Sequence, residues 1–274
     1  SGDVTYAINT KVYYQYGGTV SATGAGWGLY LESGGDTTVF YGGTFIAEGK
    51  GDALKTAGSV FIQNTDLTLK PLRKQAKALY AVNGNITVNN STINASGNYG
   101  LYTEKGNITV TDSKLNVTGN TEGILTDNGN VTISNSNVTV TGEKHGIAAL
   151  AKDSGTGKLE LGGTFNVKAT GSSSTAVAAS SSATINEGTY TLSGGKYAIY
   201  VQGGSLKAAD NIEVSKPAGG KFGNMTVLDA SNKDVSECTI GIKAVPDGFS
   251  IGNGTAYVGQ TITVSRTGAA ASVP

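Results

Sequence analysis

A short phrase that recurs every 22–23 residues constrains this chain more than any other feature. Residues 84–88 read Gly-Asn-Ile-Thr-Val, and the phrase returns at 106–110 and, slightly varied, at 129–133. Each copy is followed by a polar pair and then by a second alternation of apolar and polar residues. A fixed period of this length, with several short strand patterns per repeat, is the signature of a solenoid. A solenoid offers repetitive faces in place of one deep pocket, which limits the functions open to the chain.

Nine coils can be followed outward from these copies, each beginning with a small residue and a β-favouring aliphatic residue. The nine pairs are Ala7-Ile8, Gly28-Leu29, Ala53-Leu54, Ala78-Leu79, Gly100-Leu101, Gly123-Ile124, Gly146-Ile147, Ala176-Val177 and Ala198-Ile199. Their spacing is 21–25 residues, apart from one step of 30. We attribute the long step to loop insertions at 152–158 and 172–175.

Two further strands of each coil alternate inward and outward side chains. In the clearest coil, Ile86 and Val88 face inward from the second strand, and Ile93 and Ala95 from the third. Period-two patterning places these side chains inside, where each stacks on its counterpart one coil away at ~4.8 Å. Turn-forming residues separate the two strands, and the Asn and Asp residues at 90, 112 and 135 predict a short polar ladder.

Three strands per coil, each parallel to the strands above and below, define a parallel β-helix. We predict an all-β, single-stranded, right-handed β-helix of about nine coils over residues 1–215, with the handedness taken from the rule for parallel crossovers. Residues 216–274 form either a C-terminal β cap or the start of a following β-module. We favour the cap, because an exposed solenoid end is an open sheet edge. The small-residue run at 269–274 is typical of a linker, so we expect the chain to be part of a longer protein.

A neutral charge balance narrows the partners. The chain has 20 Lys and Arg against 20 Asp and Glu, so we expect no nucleic-acid partner. No stretch approaches the roughly 20 apolar residues of a membrane span. Tyrosines outnumber phenylalanines 13 to 6, which favours an aromatic surface in contact with water. We expect a monomer.

One outward column departs from the background of the repeat. The residue after each aliphatic position points outward, and on four successive coils it is Tyr30, Lys55, Tyr80 and Tyr102. Aromatic rings beside cations suit an acidic sugar polymer, since rings take the apolar C–H faces and cations take the carboxylates. Including the basic residues nearby, the candidate glycan-binding residues are Tyr30, Lys55, Lys74, Lys77, Tyr80, Tyr102 and Lys105.

Two questions about this column stay open in the sequence. The tyrosines could instead be cross-strand pairs that stabilise the ladder, beside basic residues that are simply solvated. The column could also lie open to solvent or be covered by residues 216–274.

Catalytic chemistry finds little support. Glu104 and Asp127 align in one outward column and are the candidates for a metal site, but calcium prefers six or more oxygen ligands. His145, the only histidine, follows Glu143 and Lys144 at a corner, where we expect it to be solvent-exposed and idle. No stack of three or four carboxylates occurs. We therefore name no catalytic residue, and the sequence favours a non-catalytic protein.

The repeat resembles that of a bacterial family of right-handed parallel β-helix surface proteins. The resemblance covers roughly residues 1–215, is strongest at 78–140, and is greatest to clostridial carbohydrate-binding proteins with a pectate-lyase-like fold. That family binds polygalacturonate and calcium. The resemblance therefore implies a secreted or cell-surface bacterial protein, an acidic, pectin-like ligand, and calcium held by Glu104, Asp127 and Asp112, with no other cofactor.

Three functions follow, in order of preference. The first is a non-catalytic secreted or cell-surface module that binds a polysaccharide or host glycan. The second is a structural stalk or adhesin segment whose outward columns carry no ligand. The third is a polysaccharide lyase or hydrolase that uses the region of Glu104 and Asp127.

Overall fold

The computed structural model of the chain is an all-β solenoid in which strands of successive coils pair in parallel. The structure describes residues 5–31, 37–153, 155–202 and 204–208, and the backbone of four short strands beyond them. None of the described residues belongs to a helix, so none forms a helix long and apolar enough to cross a membrane.

The strands are numbered in chain order. They are β1 (Tyr6–Thr10), β2 (Tyr14–Gln15), β3 (Thr19–Thr23), β4 (Trp27–Leu31), β5 (Thr38–Phe40), β6 (Gly43–Gly49), β7 (Leu54–Thr56), β8 (Val60–Gln63), β9 (Thr65–Pro71), β10 (Leu79–Ala81), β11 (Ile86–Asn89), β12 (Thr92–Thr103), β13 (Ile108–Thr111), β14 (Lys114–Thr126), β15 (Val131–Gly142), β16 (His145–Ala149), β17 (Lys158–Ala169), β18 (Thr175–Ala179), β19 (Ser182–Ser193), β20 (Tyr197–Val201), β21 (Ser205–Ala208), β22 (Val214–Ser215), β23 (Thr226–Leu228), β24 (Phe249–Ser250) and β25 (Ser265–Arg266). Long strands such as β12 and β14 continue round a corner from the third face of one coil onto the first face of the next.

All nine predicted coil starts lie in one continuous parallel ladder. The aliphatic residues pair in the order Ile8, Leu29, Leu54, Leu79, Leu101, Ile124, Ile147, Val177 and Ile199. Nine strands in register make about eight turns. From Leu29 to Ile199 these side chains are fully buried, while Ile8 in the first coil is partly buried. The predicted register is therefore confirmed, even across the step of 30 residues.

Glycine at the start of a coil is required where two coils approach closely. A Cβ atom on Gly123 would lie 2.2 Å from Val140 Cγ1 and 2.4 Å from the carbonyl oxygen of Gly146. Not even the methyl group of alanine has room at this position, which explains the glycine there.

The second and third strands supply the other two walls of the core. Ile86 pairs with Ile108, and Ile93 with Leu115, each pair one coil apart. All the side chains that the alternation placed inside are buried, namely Ile86, Val88, Ile93, Ala95, Ile108, Val110, Leu115, Val117, Val131, Ile133, Val138, Val140, Leu159, Leu161, Phe165 and Val167. Each large aliphatic residue so buried contributes about 1.5–3 kcal/mol, which makes this stack the main stabilising element.

A ladder of left-handed residues forms the corner between the second and third strands. The predicted members Asn90, Asp112 and Asn135 have φ angles of 42°, 51° and 48°, and Asn64, at 52°, extends the ladder by one coil. Asn and Asp tolerate this backbone conformation better than other residues with a side chain. The preceding residues Asn89, Thr111 and Ser134 pair in register on successive coils, so the predicted alignment is confirmed. The Asn90 side-chain amide also donates a hydrogen bond to Asn64 Oδ1 at 2.7 Å.

Buried hydroxyls directly after the left-handed residues link the coils. Ser113 Oγ donates to the carbonyl of Thr111 at 2.7 Å and accepts from the backbone N–H of Ser91 at 3.1 Å. Ser91 and Ser136 repeat the arrangement. The hydroxyls thus give buried backbone N–H groups a partner, which such groups require.

Parallel pairing continues past the predicted domain boundary at residue 215. β22 pairs with β19 and β23 pairs with β21, both in parallel, whereas β24 and β25 form a separate antiparallel pair. Apart from β23, β24 and β25, residues 216–274 lie outside the described residues, and so does the predicted cap. The cap and the right-handed winding stay predictions.

Removing one hydroxyl of the corner should destabilise the solenoid. We expect Ser113→Ala to lower the free energy of unfolding by about 1–3 kcal/mol, because the buried N–H of Ser91 loses its acceptor. Urea denaturation followed by circular dichroism measures the change. Thr118→Ala, at an exposed position of the third face, is the control and should stay within about 0.5 kcal/mol of the parent. Equal stabilities of the two variants would contradict the role of the hydroxyl.

Candidate functional site

The predicted outward column exists in the predicted register. Tyr30, Lys55, Tyr80 and Tyr102 are paired on four successive coils. The Lys55 ammonium lies 5.4 Å from the ring centroid of Tyr30 and 5.5 Å from that of Tyr80. The rings of Tyr80 and Tyr102 stack with centroids 5.1 Å apart. We call these four residues the Tyr–Lys column.

A second outward column runs beside it. The residue before the small residue of each coil also points away from the core. These residues are Tyr6, Trp27, Asp52, Lys77, Tyr99, Glu122, His145, Thr175 and Tyr197. Tyr99 stacks on Tyr102 at 4.8 Å, and Lys77 Nζ lies 4.1 Å from the Tyr80 ring centroid. We call this set the companion column. It follows from the same repeat, and the position directly before each small residue is its signal in the sequence.

Two tyrosines of the Tyr–Lys column are closed to solvent. Tyr80 and Tyr102 are each only 7% exposed, and they pack with Leu125, Ala148 and Ala178 into a small apolar cluster separate from the core. Rings stacked along the solenoid axis cover one another's faces. The expectation that Tyr80 and Tyr102 offer ring faces to a sugar is therefore wrong, because coil-to-coil stacking and burial leave those faces no open surface.

Both buried tyrosines are tied to carboxylates of the next coil. The Tyr80 hydroxyl donates to Glu104, and the Tyr102 hydroxyl donates to Asp127 Oδ2 at 2.8 Å. Lys152 Nζ lies 2.8 Å from the other Asp127 oxygen. Burial first, and then the hydrogen-bonded carboxylate, raise the pKa of Tyr80 and of Tyr102 well above the usual value of about 10. These phenols are structural hydrogen-bond donors.

The three other basic candidates for glycan binding lie in different surroundings. Lys77 joins the cluster through its contacts with Tyr80, Tyr99 and Tyr102. Lys74 and Lys105 are exposed, and within the described part of the chain neither side chain contacts a ring of the column. The structure therefore does not bring the predicted basic residues together into one cationic site.

The predicted metal candidates lie close but do not form a calcium site. The carboxylates of Glu104 and Asp127 are engaged by Tyr80, Tyr102 and Lys152. Among the residues that the structure describes, no three His, Cys, Asp or Glu side chains gather into a group that could hold a metal. Calcium needs more oxygen ligands than this pair supplies, so the arrangement does not fit the metal that the resemblance implies.

His145 is not idle at an exposed corner, contrary to expectation. It is the first residue of β16, and its Nδ1 lies 2.9 Å from Glu122 Oε2. Glu122 is only 3% exposed, and Lys144 Nζ approaches its other oxygen at 3.9 Å. A buried carboxylate requires such partners. The two residues lie 23 residues apart, which is one period of the repeat, and the parallel register of the companion column pairs them.

Among the residues that the structure describes, the most exposed aromatic rings lie on the second face of the first coils. Tyr14, Tyr16 and Tyr41 are 54%, 75% and 45% exposed. The planes of Tyr14 and Tyr16 are within 10° of parallel with centroids 6.3 Å apart, and those of Tyr16 and Tyr41 within 14° at 5.6 Å. Phe61 tilts against Tyr41 at 5.6 Å. We call these four residues the tyrosine strip; the alternation Tyr-x-Tyr at 14–16 was its sequence signal.

The fold and these outward columns define a parallel β-solenoid protein. Comparison of the chain with protein-family models, with curated proteins and with solved structures finds no match. The resemblance to carbohydrate-binding β-helix proteins therefore depends on the repeat residues alone.

Removing one buried phenol should reveal its structural role. We expect Tyr102→Phe to lower the free energy of unfolding by about 1.5–3 kcal/mol, because Asp127 loses a hydrogen-bond donor in a buried setting. Urea denaturation at pH 7 measures this change. Tyr200→Phe, a half-buried position in the same column, is the matched control and should change stability by less than about 0.5 kcal/mol. A Tyr102→Phe protein as stable as its parent would show that the hydrogen bond contributes nothing.

Alkaline pH should weaken the protein through the same phenols. The folded-state pKa values of Tyr80 and Tyr102 are raised, so the stability that they contribute is fully present below about pH 10 and is lost as the pH rises toward the folded values. We expect the unfolding free energy of the parent to fall more steeply between pH 9 and 11 than that of the Tyr80→Phe/Tyr102→Phe variant. Parallel curves from urea denaturation across this range would contradict the expectation.

Proposed function

We propose that this chain is a non-catalytic β-solenoid module that binds a polysaccharide or a host-surface glycan on an outer face. The observation that carries the proposal is the tyrosine strip, in which three neighbouring rings are between 45% and 75% exposed. Tyrosine combines an apolar ring with a polar hydroxyl, and this combination matches the C–H faces and hydroxyl groups of a sugar. A contiguous exposed aromatic patch on a protein surface marks an interaction site.

The tyrosine strip replaces the Tyr–Lys column as the main contact surface of this proposal. In that column Tyr80 and Tyr102 are closed to solvent, whereas its first two members, Tyr30 and Lys55, are half-buried. The resemblance to bacterial β-helix surface proteins supports a secreted or cell-surface location. It also supports a glycan as the ligand.

A structural stalk or adhesin segment is the second candidate. The pairing of Tyr80 with Glu104, and of Tyr102 with Asp127, supports it. These side chains point away from the core, but their hydrogen bonds link neighbouring coils of the chain and leave them no role in contacting a ligand. The same pairing removes the support for a lyase. Glu104 and Asp127, the two carboxylates that a lyase would need, each accept a hydrogen bond from a tyrosine hydroxyl.

Loss of one exposed ring should separate the two candidates. We expect Tyr16→Ala to weaken binding to the retained polysaccharide by about tenfold, equivalent to about 1.4 kcal/mol, because the most exposed ring is lost. The measurement is retardation of the protein in affinity gel electrophoresis against a panel of neutral and acidic polysaccharides and host glycans, followed by calorimetry with the polymer that retards it.

The matched control is Tyr200→Ala, which removes a half-buried tyrosine from another face. This variant should bind as the parent does. If no polysaccharide or host glycan retards the parent protein, the binding proposal fails and the stalk remains.

A further inference from the structure

The tyrosine strip is the beginning of a longer face. From Tyr14 onward in the chain, the outward residues on the second strand of each coil stay in parallel register. They are Tyr14, Val39, Phe61, Thr87, Thr109 and Thr132. Beside them runs a second column, which starts with Tyr16 and Tyr41 and continues with Gln63, Asn89, Thr111 and Ser134. Together these two columns cover six coils, and we call them the second-face track.

The second-face track contains no charged side chain over these six coils. The first charge in register is Glu160 on the seventh coil, opposite Thr132. The first face differs in this respect. Lys55 and Lys77 belong to its two outward columns, and Asp127 lies beside them. A charged polymer placed on the track would lose hydration without meeting an opposite charge, and such uncompensated burial is costly.

Hydroxyl groups follow the rings at a regular spacing. Thr87, Thr109 and Thr132 are half-buried, and in the described part of the chain their hydroxyls make no hydrogen bond. Parallel pairing places them one strand apart, at ~4.8 Å. Each hydroxyl can donate one hydrogen bond and accept others. A row of such groups is suited to the hydroxyls of a sugar chain that runs along the solenoid axis.

We infer that a neutral, linear polysaccharide binds along the second-face track, parallel to the solenoid axis. At one end, the rings of the tyrosine strip pack against the apolar faces of its sugars. Further along, the threonine hydroxyls form hydrogen bonds with its hydroxyl groups. Six coils, five steps of ~4.8 Å, span about 24 Å. The inference rests on the proposed function and deepens it, because it names a neutral polymer where the sequence favoured an acidic one.

A paired substitution tests the hydroxyl row. The probes are linear xylan, mannan and β-glucan as neutral polymers, and polygalacturonate as the acidic one. We expect Thr87→Val/Thr109→Val to lower the affinity for the bound neutral polymer about fivefold in calorimetry. Valine keeps the shape and the strand preference of threonine. The matched control, Thr118→Val/Thr139→Val on the third face, should bind as the parent does. Unchanged affinity in both variants would overturn the hydroxyl row.

Length and salt test the direction and the charge of the ligand. Affinity for oligosaccharides of the bound polymer should rise with length up to about 24 Å and then level off, whereas levelling at one or two sugars would overturn axial binding. Binding should change less than twofold between 0.05 and 0.5 M NaCl, since no ion pair forms. Selective, salt-sensitive binding of polygalacturonate would overturn the inference and leave the proposed function standing.

Two outcomes concern the proposed function itself. Absence of binding to every polysaccharide and host glycan contradicts the proposed function and, with it, this inference. A concentration-dependent dimer in sedimentation velocity that Tyr16→Ala abolishes, without polymer binding, would show that the tyrosine strip is an interface between copies of the chain.

Discussion

Parallel pairing between successive coils is the constraint on which everything else in this structure depends. It places each residue directly above its counterpart at ~4.8 Å, so that any side chain that recurs becomes a column. Inside, the columns are mostly aliphatic, with a few aromatic rings such as Phe45 and Phe165, and they fill the core. At the corner the columns are left-handed Asn and Asp residues followed by hydroxyls, which satisfy backbone N–H groups. Outside, the same geometry stacks rings and charges whether or not a ligand requires them.

The stacking that creates an aromatic column also limits its use. Tyr80 and Tyr102, in the middle of the solenoid, have neighbours above and below and a carboxylate at each hydroxyl, and they are only 7% exposed. Tyr16 lies in the first coil and is 75% exposed. Repetition of an aromatic residue in the outward columns is therefore weak evidence for binding by itself. Exposure of the ring is the property that separates a binding surface from a stabilising ladder.

The sequence predicted the inside of this protein far better than the outside. The register of all nine coils followed from the pairs of small and aliphatic residues, because volume and period-two alternation leave one arrangement that fills the core. The left-handed corner followed from Asn and Asp for a similar local reason. The pair of His145 and Glu122 could have been found in the same way, because the two residues lie one repeat apart in the companion column. The burial of Tyr80 could not, since the contact of its ring with Lys77 joins two adjacent columns, and lateral packing between columns leaves no period in the sequence.

The position of the tyrosine strip connects binding with the least buried part of the described core. A solenoid is stabilised mainly by contacts between neighbouring coils. In the first described coil, Ile8, Tyr13 and Val20 are only partly buried. A ligand anchored on Tyr14 and Tyr16 and extending to later coils would bridge this coil to those whose core residues are fully buried. Since a ligand that binds only the folded state stabilises it by mass action, polymer binding would strengthen the described solenoid first in the coil whose own core is least buried.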